Sequence, residues 1–94
     1  MKVKNLLKTK KQWTKNAFAR NKYGHVVDIN SKSASRYCLV GAIERCYGYH
    51  TDEHQSVIKK FNKTQHEYFT LFGFNDDKST TFEDVKTLIT KLDI

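Results

Sequence analysis

Tyr37-Cys38-Leu39-Val40-Gly41-Ala42-Ile43 is the longest apolar run in the chain, and its reading decides the fold. A segment apolar on every side belongs at the buried centre of a small protein. Upstream, Asp28 to Ser33 is polar and offers Asn30, Ser31 and Ser33 as N-caps. Downstream, Gly48 suits a left-handed C-terminal cap. The run therefore predicts a core helix from about Lys32 to Tyr47.

Working outward, Thr80 with Glu83 and Thr81 with Asp84 each have the spacing of a capping box. Phe82, Val85, Leu88, Ile89 and Leu92 then share one face of a final helix. A further helix is expected from near Thr51 to just before Gly73. Asp52 and Glu53 favour its first turn through the helix dipole, and its apolar stripe is Val57, Ile58, Phe61, Tyr68 and Phe69. Phe74 to Ser79 reads as a polar connection. At the other end, Val3, Leu6 and Leu7 predict a short first helix ending near Gln12, because Lys10 and Lys11 interrupt the same face. Between Thr14 and Val27, Ala17 to Arg20 and His25 to Val27 flank Asn21-Lys22-Tyr23-Gly24, whose Asn and Gly tolerate a chain reversal. That pattern predicts a β-hairpin. The expected fold is α+β and mostly α, with about four helices and a small hairpin after the first, in one domain over residues 1–94. A chain of 94 residues has room for one core.

Charge is segregated. Lys2, Lys4, Lys8, Lys10, Lys11, Lys15, Arg20 and Lys22 are the only charged residues before Asp28, whereas nine Lys or Arg face ten Asp or Glu thereafter. The net +7 thus resides at one end. Such a field draws phosphate, anionic lipid or an acidic protein face. Lys4, Lys8, Lys10, Lys11, Lys15, Arg20 and Lys22 are the candidate anion-binding set, with Trp13, Phe18 or Tyr23 placed to stack on bases. Arg clusters and ribonucleoprotein motifs are missing, so any nucleic-acid binding is expected to be electrostatic and non-specific.

Other chemistries find little support. Cys46, His50 and His54 are spaced by four, but Gly48 breaks the helix between them and no fourth ligand follows, so no metal is expected. Cys38 lies inside the apolar run, where a thiol acts as a small core group. Cys38 and Cys46, eight positions apart on one helix, are separated by roughly 12 Å, too far for a disulfide. Asn75, Asp76 and Asp77 lack the glycine and the terminal glutamate of a calcium loop. No catalytic constellation assembles, so the chain is read as more readily a binding protein than an enzyme, with no cofactor. No run approaches the roughly 18 apolar residues of a membrane span, and no secretory signal is evident; a cytoplasmic location is expected.

Three motifs in order carry a resemblance: W-T-x-x-A-x-A-R at Trp13 to Arg20, Y-C-L-x-G-A-I-x-R at Tyr37 to Arg45, and F-N-D-x-x-x-T at Phe74 to Thr80. With these the chain resembles a family of short, uncharacterised bacterial and phage proteins, a domain of unknown function, over roughly Leu6 to Leu92. Tyr37 and Phe74 stand where that family commonly has Trp. The resemblance implies that Trp13, Arg20, Cys38, Gly41, Asn75, Asp76 and Thr80 occupy recurrent positions. Trp13, Cys38 and Gly41 read as packing, and Arg20 with Asp76 as a charge pair tying the hairpin to the last loop. The leading functional expectation is a small, phage-encoded binding protein that engages nucleic acid or an acidic host protein through its basic N-terminal face. A small-molecule or enzymatic pocket lined by Arg20, Cys38, Asn75 and Asp76 is the second reading. The third is a phage antagonist of a host protein, whose sign would be an exposed aromatic patch from Tyr47, Tyr49 and Phe72.

Overall fold

The apolar run forms the first half of a central helix. In a computed structural model that describes residues 1–64 and 70–94, the elements are helix α1 (Val3–Leu6), a 3-10 turn (Lys10–Gln12), strands β1 (Ala19–Arg20) and β2 (Arg36–Tyr37), then helices α2 (Leu39–Tyr47), α3 (Asp52–Thr64), α4 (Leu71–Asp76) and α5 (Phe82–Leu92). Leu39, Val40, Gly41, Ala42 and Ile43 of α2 are all buried. Helices α1, α3 and α4 pack around α2, and α5 packs on α1 and α3. The core joins that run to Val3 and Leu7, Val57 and Phe61, Leu71 and Phe74, and the predicted face of α5. The architecture is α+β and mostly α, as the sequence predicts, with five helices among the described residues.

Two helix ends follow the sequence closely. Gly48 stops α2 at φ +83°, with its N–H donating to the Glu44 carbonyl at 2.8 Å. Thr81, and not Thr80, caps α5. Its hydroxyl accepts from the Asp84 N–H, and the Asp84 carboxylate accepts from the Thr81 N–H.

The start of α2 differs from expectation. The helix begins at Leu39, because Arg36-Tyr37 joins a sheet and Cys38 becomes the cap, its Sγ accepting the Gly41 N–H at 3.2 Å. The polar stretch before it closes in side-chain turns instead: the Asp28 carboxylate accepts the Asn30 N–H and the Ser31 hydroxyl accepts the Ser33 N–H.

The hairpin is also altered. Its turn forms where predicted, with Gly24 at φ +84° and its N–H on the Asn21 carbonyl, and the Asn21 side chain accepts the N–H groups of Tyr23 and His25. The returning limb contributes a single bridge, Arg20 to Val26. The two-stranded sheet pairs β1 antiparallel with β2, Ala19 opposite Tyr37 and Arg20 opposite Arg36. Burial decides the partner: Val26 is 65% exposed, whereas Tyr37 is 6% exposed and sits in the core.

The long third helix is replaced by two. Helix α3 is described to Thr64, and α4 starts anew at Leu71 with the Thr70 hydroxyl accepting the Gly73 N–H. Gly73 thus lies within a helix and does not terminate one, and Phe74 to Asp76 are helical. The predicted stripe residues Tyr68 and Phe69 lie outside the described residues.

Candidate functional site

The three sequence motifs converge on one buried side chain. Asn75 projects from α4, fully buried, and its Oδ1 accepts from Trp13 Nε1 at 2.7 Å and from the Leu39 N–H at 2.9 Å. Its Nδ2 donates to the Thr14 carbonyl at 3.2 Å and to Asp76 Oδ1 at 2.8 Å. The Leu39 N–H opens α2 and would otherwise be an orphan donor. One amide therefore joins the segment after the 3-10 turn, the start of α2 and the end of α4. Trp13 also contacts the Phe82 ring at 6.0 Å between centroids, and Thr14 N–H donates to the Tyr37 carbonyl.

The expected charge pair between Arg20 and Asp76 does not form. Arg20 spends its guanidinium on its own loop: Nε donates to the Thr14 hydroxyl, Nη1 to the Gly24 carbonyl at 2.9 Å and Nη2 to the Lys15 carbonyl. Asp76 accepts the N–H of Asn16, which has φ +63°, alongside the Asn75 amide. Cys38 is a cap in the core, and burial pushes its thiol up to about 11 against the weaker opposing pull of the Gly41 and Val40 N–H groups. Gly41 faces the Phe18 backbone, where a Cβ would run into the Phe18 carbonyl. Thr80 is buried behind the Asp77 turn, its N–H on the Asp77 carbonyl. These motif positions hold the chain to itself, and Arg20, Cys38, Asn75 and Asp76 direct their polar atoms at protein partners.

The basic segment divides in two. Lys4 on α1, Lys8 in the link after it, and Lys10 and Lys11 on the 3-10 turn are exposed, and a Thr9–Gln12 capping box orders that turn. Lys22 is exposed on the loop, its ammonium over the Tyr23 ring. Lys15 and Arg20 are half-buried; Lys15 donates to the Asp77 carbonyl at 2.6 Å and lies over the Trp13 ring. Trp13 is thus committed to the core side of this segment, and Phe18 and Tyr23 are the aromatics left exposed.

An apolar face lies elsewhere. Tyr49, Phe18 and Phe72 are 64%, 45% and 42% exposed, and the Phe18 and Phe72 rings meet edge to face at 5.1 Å. Phe18 walls one groove of about 270 Å³ with Val26, Val27 and Ile29. Phe72 walls a second of about 240 Å³ with Val40, Ile58 and Leu71, closed by Tyr49 and His54. Glu44 lines both. Of the aromatic patch expected from sequence, Tyr49 and Phe72 are present, whereas Tyr47 is half-buried with its hydroxyl on the Ile94 carbonyl. Sequence reading offers Phe18 for base stacking and places neither it nor Val26 in this patch, because an aromatic and a Val beside a turn look like strand residues of the core.

The histidines of the Cys46-His50-His54 pattern serve locally. His54 Nδ1 accepts the His50 N–H at 3.3 Å, and both rings stack near Tyr49. Among the described residues no group of three or more His, Cys, Asp or Glu is placed to hold a metal ion, and no helix is long and apolar enough to cross a membrane.

A family model described as a family of unknown function, DUF6197, matches residues 2–92. No curated protein and no solved structure matches the chain.

Proposed function

Because the chain belongs to this family of unknown function, we propose its role from its surface: a small, phage-encoded, non-enzymatic binding protein of the cytoplasm that engages nucleic acid non-specifically through its N-terminal lysines. The observation that carries this reading is the state of Lys4, Lys8, Lys10 and Lys11. All four are exposed on one ordered stretch, and none has an acidic partner among the described residues. Lysines not engaged in ion pairs keep a field that phosphate neutralises with release of counterions. Lys22 extends the set, whereas Lys15 and Arg20 are occupied within the fold.

Binding to labelled single- and double-stranded nucleic acid across a salt series tests it. Four or five neutralised phosphates give a slope of log affinity on log salt of about −3 to −3.5 on single strands and about −3.5 to −4.5 on duplex. Replacing Lys4, Lys8, Lys10 and Lys11 together with Gln should abolish binding without lowering the melting temperature. Binding that survives the replacement, or none at low salt, rejects the reading and leaves an acidic protein as the partner to seek.

A second reading, an antagonist of a host protein, is supported by the exposed Phe18–Phe72 pair with Tyr49 beside it. Apolar patches on small proteins often mark partner sites.

A further inference from the structure

The two grooves beside Phe18 and Phe72 carry a charge opposite to that of the chain. The protein has 17 Lys and Arg against 10 Asp and Glu, yet none of those cations lines either groove. Among the described residues, Asp28 and Glu44 are the acidic side chains of the first, and Glu44 that of the second. Glu44 is half-buried where the grooves meet, and its carboxylate makes no hydrogen bond or ion pair with a described residue. An unpaired carboxylate between apolar walls attracts a cation that arrives with a ligand. The remaining walls are mostly apolar and aromatic, with Asn30 in the first groove and His54 and Thr70 in the second as their polar members, and suit side chains that enter on either side of the aromatic pair.

We propose that this face docks a cationic amphipathic peptide segment of a partner protein, placing one apolar anchor in each groove and a Lys or Arg between them on Glu44. This rests on the reading of the chain as a protein-binding module and names the partner's chemistry. Asp28 and Glu44 repel phosphate and so disfavour nucleic acid on this face. A second copy of the chain would bring Glu44 against Glu44 across a two-fold axis, which like charge disfavours. The molecule is thus two-sided, with a phosphate-seeking ridge of lysines and an acid-centred apolar face.

The test uses fluorescent Leu/Lys peptides, one patterned as an amphipathic helix and one as an alternating strand, with Leu/Glu counterparts of identical apolar pattern. Binding through the face is the part removed by Phe72→Ser, an exposed position whose substitution leaves the fold in place, as the melting temperature checks. One Leu/Lys peptide is expected to bind in this Phe72-dependent way, with Phe72→Ser weakening it at least about thirtyfold. Glu44→Gln should weaken it about tenfold. The Lys4, Lys8, Lys10 and Lys11 replacement should leave it unchanged. Leu/Glu peptides binding equally well through Phe72 would overturn the cationic class while sparing the protein-binding reading. If no peptide binds through Phe72, both fall. Sedimentation of the free chain adds one outcome: a dimer that Phe72→Ser dissociates means that a second copy covers the face, and it overturns the proposal.

Discussion

Asn75 spends both lone pairs and both amide hydrogens on protein partners, so its removal leaves Trp13 Nε1 and the Leu39 N–H without acceptors in a buried site. Each unsatisfied buried donor costs about 1–3 kcal/mol, and Asn75→Ala should destabilise the protein by about 2–4 kcal/mol in urea unfolding; a loss under about 1 kcal/mol would show the knot to be dispensable. Cys38 makes a second prediction at this scale. Its thiol titrates at about 11 in the folded chain against 9.0 for the free group, so above pH 9 the unfolded chain sheds protons that the native chain keeps. Stability must then fall as pH rises from about 9 to 11, by the order of 2 kcal/mol. Tyr47, raised by burial first, adds to the fall. Cys38→Ser, which keeps a capping atom but does not titrate there, should flatten the decline measured by chemical unfolding; an unaltered slope would assign it elsewhere. Trp13, Cys38 and Gly41 read as packing in the sequence. The partner of the Trp13 indole, 62 positions away, had no local signature.

Elements formed where a local cap and a periodic face agreed, as in α5 and at the end of α2. They shifted where a tertiary contact competed. Arg36-Tyr37 left the expected helix because they pair with β1, and the groups on either side of them bond there too, Ser35 N–H to the Arg20 carbonyl and Cys38 N–H to the Phe18 carbonyl. The first turn of α2 then lies directly on the Phe18 backbone, and only Gly fits at position 41: a Cβ there would be 2.9 Å from the Phe18 carbonyl carbon. Gly41→Ala should cost about 1–3 kcal/mol through overpacking, although Ala is the better helix former. Gly73→Ala, whose Cβ would meet only the Thr70 hydroxyl at 3.3 Å, should cost far less. Thermal unfolding of the two variants decides; equal effects would mean that the α2–β1 approach is soft.

Across the whole molecule, charge is poorly compensated. Among the described residues Lys2–Asp93 is the one ion pair, and both side chains are largely solvated, on a chain of net charge +7. Exposed pairs contribute little, while the lysines of α1 and the 3-10 turn repel one another. Added salt screens that repulsion over a Debye length of about 10 Å at 0.1 M. The melting temperature should therefore rise by a few degrees between low and moderate sodium chloride, and a fall would place net attraction, not repulsion, in the native charge distribution.

Sequence alone determined the fold class, the central helix and its glycine stop, the capped final helix, the turn at Gly24 and the segregated charge. Each rests on residues within a few positions of one another, where propensity, capping and periodicity act directly. Tertiary structure alone decided that β1 would choose Tyr37 over Val26, that Arg20 would hold its own loop and not Asp76, and that Lys15 would leave the basic ridge while Phe18 met Phe72 on the surface. Those outcomes depend on which face wins burial and which distant carbonyl lies within hydrogen-bonding reach, and both are set only once the chain has closed around α2.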